Sequence, residues 1–211
     1  MLMRYNSEVG QQLSTGSARI ALALLGCACT LTPQAFAAVS YDEGVSGDLS
    51  NSGLSPTVVS VGEGQNQVFG TTGRASGVVD RDYLSFTIPA GLQLTSLVVL
   101  PGTTAANLSF LGMESGSQVT LPSNAASAAG LLGWTHYSPS SGNVLPDMGI
   151  PAAGSTGFTP PLPAGTYSFW VQELSTGTYN YGFDFGLEAV PNQRVPDAGP
   201  GLLGCAAVGA A

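Results

Sequence analysis

Between Asp82 and Ile88 the chain alternates strictly, with Leu84, Phe86 and Ile88 on one side and Tyr83, Ser85 and Thr87 on the other. A period of two residues predicts a strand with one face buried. Pro89-Ala90-Gly91 then reads as a turn, and Leu92–Leu100 as the next strand. Thr166–Gln172 repeats the pattern, with Tyr167, Phe169 and Val171 inward. Trp170 is out of phase with them, which sets it on the outer face or under a covering loop. In Asn180–Leu187 the inward set is Tyr181, Phe183, Phe185 and Leu187, opposite Asn180, Gly182, Asp184 and Gly186. Weaker strands are predicted at Thr57–Val61, Gln67–Thr71, Asn107–Met113 and Leu131–His136. Only the alanine-rich stretch Asn124–Leu132 suits a short helix. About eight short strands separated by Gly/Pro turns predict an all-β fold, a sandwich or jelly roll.

The two ends follow other rules. Arg4 and Arg19 precede the apolar run Ile20–Ala28, and Ala35-Phe36-Ala37 closes a short polar stretch. Basic, apolar, then small–x–small is the order of a secretory signal, and it predicts cleavage after Ala37. The run is too short for a helix across a bilayer, which takes about 20 residues. Leu24-Leu25-Gly26-Cys27 is a competing lipoprotein reading, but Leu25 fits it poorly and it leaves Ala35 and Ala37 unexplained. The chain thus divides into a signal helix (1–37), a β domain (38–190) and a linker with a short apolar tail (191–211).

Charge removes one class of partner. Charged residues are 9% of the chain and the net charge is −8. Lysine is absent, and beyond Ala37 the only basic residues are Arg74, Arg81 and Arg194. Such a chain lacks the basic patch that phosphate neutralisation needs, so nucleic acid is excluded as a partner. All three cysteines, Cys27, Cys29 and Cys205, fall in the terminal segments, so the β domain has neither a disulfide nor a thiolate metal site.

Several stretches resemble known families. Val195-Pro196-Asp197-Ala198-Gly199, followed by the apolar segment to Ala211, resembles the exosortase sorting signals of the PEP-CTERM class, nearest the Val-Pro-Asp-Ser-Gly variant. It departs from them in its short apolar segment and in lacking a terminal arginine cluster. Asp80-Arg81-Asp82-Tyr83-Leu84-Ser85-Phe86, with Leu162-Pro163-Ala164-Gly165-Thr166-Tyr167, is similar to the opening and closing strands of bacterial pre-peptidase C-terminal domains. Leu131–His136 and Gly157–Leu162 resemble a group of exported PEP-CTERM proteins of unknown activity. The resemblance implies a jelly-roll-like β-sandwich without catalysis of its own. It also implies export to the outer surface or extracellular matrix of a Gram-negative-type bacterium. Its partners would be a signal peptidase and an exosortase-type enzyme, with transient membrane contact through the termini.

Candidate chemistry is sparse. His136 is the single histidine, so a Ser-His-Asp triad would have to use it, with Asp147 or Asp184 as orienter, and no Gly-x-Ser-x-Gly elbow occurs. Calcium needs only carboxylates, carbonyls and water. Its candidate ligands are Asp42, Glu43 and Asp48 in one acidic loop and Asp80 and Asp82 before a strong strand. The plainer reading has Asp80 and Asp82 capping a turn, with the others solvated. Trp134, Tyr137, Trp170 and Tyr179 are candidates for an aromatic platform that takes a polysaccharide, although aromatics more often anchor a core. The expected function is non-enzymatic adhesion or scaffolding, with calcium-assisted polysaccharide binding second. A glycosidase-like hydrolase using a carboxylate pair comes third.

Overall fold

The computed structural model describes residues 38–106 and 109–191. In chain order they form β1 (Ala38–Asp42), α1 (Glu43–Ser46), β2 (Thr57–Val58), β3 (Gly64–Ala75), β4 (Val78–Ile88) and β5 (Leu92–Val99). There follow β6 (Phe110–Ser115), β7 (Gly133–His136), α2 (Leu145–Met148), β8 (Gly165–Gln172) and β9 (Gly177–Ala189). The fold is all-β and sandwich-like, as the alternation predicts. Among the described residues no helix is long and apolar enough to cross a membrane.

The strand order is β5-β9-β3-β4-β8-β6-β7, with β1 added in parallel to β3 and β2 in parallel to β4. The hairpin joining β3 and β4 links two layers, one of β5, β9, β3 and β1, the other of β4, β8, β6, β7 and β2. Its two-residue loop, Ser76-Gly77, holds φ of 51° and 84°. Positive φ at both positions is what a tight right-twisting hairpin needs. β3 and β4 pair only near this turn and then separate, β3 going to β9 and β4 to β8.

The inward set closes the sandwich. Phe86 and Phe169 stack at 5.1 Å within one layer, and Phe185 meets them edge-on from the other at 5.0 and 5.1 Å. All three are essentially solvent-free, and burial of a phenylalanine contributes roughly 1.5–3 kcal/mol.

The opposite face of the second layer departs from expectation. Tyr83 and Ser85, assigned outward by alternation, are buried, as is Trp170. Val119, Ala128 and Leu131 cover Tyr83 and Trp170 to make a second, smaller apolar cluster. Trp170 therefore lies on the outer face and also under a covering loop. That loop contains Asn124–Leu132, which is not helical. Its amides are taken by non-helical partners, Ala125 N–H by Pro122 O at 2.9 Å and Ala128 N–H by Ala153 O at 2.9 Å. Gly130 has φ of 112° and breaks any helical run. β1 was not marked by alternation, and its pairing with β3 is long-range.

Candidate functional site

Asp82 sits in β4 opposite Val171 of β8, near the end of the strand that joins the hairpin. It is 0% exposed. Its Oδ2 accepts a hydrogen bond from the Tyr181 hydroxyl of β9 at 2.8 Å. Its Oδ1 is buried and has no partner among the described residues. An orphaned buried oxygen costs about 1–3 kcal/mol, and more when charged.

Two further carboxylates converge on it from the acidic loop. Glu43, Asp48 and Asp82 each offer an oxygen within 4.8 Å of the others. β1 delivers Glu43 by running alongside β3 as far as Phe69. There Glu43 is fixed by Leu49 N–H at 3.0 Å on Oε1 and Thr71 N–H at 2.8 Å on Oε2. Gly70 makes room, since a Cβ at this position would touch the Tyr181 hydroxyl and come within 2.9 Å of the Glu43 carboxyl carbon. Burial, then the Glu43 charge, push Asp82 up to about 9, against a weaker opposing pull from the Tyr181 hydrogen bond. Glu43 is raised chiefly by burial, although its two backbone donors hold it down. Tyr181 is raised far above its ordinary value by burial and by Asp82.

Of the residues expected to hold calcium, Asp48, Asp82 and Glu43 come together. Asp42 instead caps α1, its Oδ1 accepting from Gly44 N–H at 2.9 Å. Asp80 stands beside the cluster and accepts from the Asn51 side chain at 3.3 Å. The donor set is entirely oxygen and anionic, which suits calcium and gives no grip to softer transition metals. Tyr181 was expected only as a core residue; nothing in the alternation signals its hydroxyl contact with Asp82.

The aromatic candidates do not share one surface. Tyr137 is buried in the inner core against Phe183, with ring centres 5.1 Å apart. Trp134 and Trp170 lie on the outer face instead, bridged by Phe110 at 5.9 and 5.0 Å. Tyr179 bonds the Thr176 carbonyl at 3.1 Å, apart from that group. The expected platform is thus corrected by the loss of Tyr137 and Tyr179 and the addition of Phe110.

His136 stands edge-on to Trp134 at 5.5 Å, and its Nδ1 lies 3.1 Å from the Ser109 carbonyl. Asp184, one candidate orienter, accepts from Asn66 N–H at 3.0 Å. Asp147 opens α2. Neither makes a hydrogen bond to His136 among the described residues. The cleavage residues Ala35 and Ala37, the cysteines and the motif Val195-Pro196-Asp197-Ala198-Gly199 lie outside the described residues. Comparison with known proteins finds no matching family model, no matching curated protein and no matching solved structure.

Proposed function

We propose that this chain is an exported, non-catalytic β-sandwich module acting in adhesion or scaffolding at the outer surface or in the extracellular matrix. A calcium ion held by Glu43, Asp48 and Asp82 fastens its N-terminal segment to the sandwich. The observation that carries this reading is the convergence of three carboxylates on a buried, unpaired Asp82 oxygen. Without an ion, a proton on Asp82 relieves the repulsion among the three carboxyl groups; calcium, which accepts six to eight oxygens in irregular geometry, can take that proton's place. Extracellular modules bind calcium at roughly 10⁻⁴–10⁻³ M, a range that matches an exposed third ligand such as Asp48. Export rests on the order of basic, apolar and small residues before Ala38, and on the resemblance of Val195–Gly199 to exosortase signals.

Two measurements test this. The protein recovered outside cells should begin at Ala38 on N-terminal sequencing; retention with an intact leader would refute export. Millimolar calcium should raise the melting temperature of the EDTA-treated protein, and Asp82→Asn with Glu43→Gln should abolish that rise. A rise of equal size in the double variant would remove the calcium site.

A further inference from the structure

We infer that the groove on the outer face of the second layer binds a neutral saccharide, a ligand class that rests on the adhesion reading above. The groove has a volume of about 310 Å³, at the small end of ligand sites. Its floor is aromatic, made by Phe110 of β6, Trp134 of β7 and Trp170 of β8, and its far wall is the loop around Ala126. Not one charged residue lines it, in a chain of net charge −8. That selects against ionic ligands and in favour of a neutral one.

Two features then separate a sugar from an apolar side chain. The indole of Trp134 is locked by its own N–H, which donates to the Ala152 carbonyl at 3.0 Å, and its ring lies nearly parallel to Phe110 at 25°. A fixed, part-exposed ring offers a flat apolar face on which the C–H face of a pyranose can lie. Trp170, 5% exposed, packs edge-on beneath Phe110 as the deepest ring of the floor. A sugar hydroxyl can pair with the polar groups of the lining, which an apolar side chain would cover and leave unpaired. Ser123, Ser127 and Gln172 supply those polar groups. Small side chains at Ala125 and Ala126 keep the slot open, and both are exposed.

The chain contains two tryptophans, and both line this groove, so intrinsic fluorescence reports on it directly. The full-length exported protein is titrated with neutral hexasaccharides of glucose, xylose and mannose, with an oligogalacturonate as the anionic comparison. At least one neutral hexasaccharide should shift tryptophan emission saturably, and the anionic one should not. Ala126→Leu fills the slot from an exposed position and should weaken binding about tenfold or more, with the circular dichroism spectrum unchanged. Trp134→Ala should weaken it likewise, measured by calorimetry. No response to any neutral sugar overturns the inference, as does undiminished binding in Ala126→Leu. Saturation by a leucine-rich peptide without a sugar response overturns it in favour of a protein partner. The calcium-induced rise in melting temperature is read on the same sample, so loss of one signal with the other intact identifies which reading has failed.

Discussion

Two carboxylates lie at 0% exposure in this sandwich, Asp82 in β4 and Glu173 just past β8, and their surroundings treat them very differently. Glu173 accepts from the Ser109 hydroxyl, from Ala106 N–H at 3.1 Å and from Ser175 N–H at 2.9 Å. Burial pushes its carboxyl up, but those donors outweigh burial and hold it below the usual range. Asp82 has a single donor, the Tyr181 hydroxyl, and faces two further anions, so burial prevails. The number of donors, more than depth, decides whether a buried acid is settled. Glu173 is a finished structural anchor, while Asp82 keeps one buried oxygen without a partner among the described residues, a contact that the proposed cation would supply.

The largest effect should come from breaking the satisfied member. Glu173→Ala leaves three donors without their acceptor and should cost about 3 kcal/mol or more in denaturant unfolding. A loss under 1 kcal/mol would mean that water replaces the carboxylate there.

Titration separates the pair next. Asp82 has a folded value near 9 against 3.8 as its ordinary one. The unfolded chain therefore releases this proton first, and ion-free stability should fall as pH rises between about 4 and about 9, by at most about 1.4 kcal/mol per unit. The lowered Glu173 acts in the opposite sense: its contribution is present above its unfolded value and lost as pH falls through its folded one. Unfolding curves in EDTA across this range should slope downward in the wild type and lie much flatter in Asp82→Asn.

At pH 8 without calcium, Asp82→Asn should be neutral or stabilising by about 1 kcal/mol, because the wild type must take up a proton at Asp82 to fold and the amide need not. A clear destabilisation would show that the carboxylate is already compensated. Tyr181→Phe removes the single donor and should cost about 1 kcal/mol. Asp80→Asn, at the edge of the cluster, should change stability by about 0.5 kcal/mol or less.

The inner core was legible because Leu84, Phe86, Phe169, Phe183 and Phe185 obey a period of two and each faces the other layer. The outer cluster was not. Tyr83 and Ser85 occupy positions that alternation assigns to solvent, and only the long-range docking of the Val119–Leu131 loop buries them. Alanine content at Asn124–Leu132 suggested a helix, yet the loop gains more by bonding Ala153 and covering Trp170. At the candidate site, acidity marked the two segments that meet there, the loop at 42–48 and the start of β4. It could not select Glu43 and Asp48 over Asp42, because that choice depends on the register of β1 along β3.

That register has a mechanical consequence. Ala38 pairs with Asn66 near the start of β3, and Leu187 of β9 pairs with Gly64 at the same end. The chain therefore enters and leaves the sandwich from one pole, while the Ser76-Gly77 tip, the three carboxylates and the Gln172 end of the groove lie towards the other. A tether on either flank presents the far pole outward. A pull on Ala38 along the strand axis, resisted at the far pole, loads the β1–β3 hydrogen bonds together in shear instead of opening them one at a time. A bound ion at Glu43 would then act as the stop at the end of the rail.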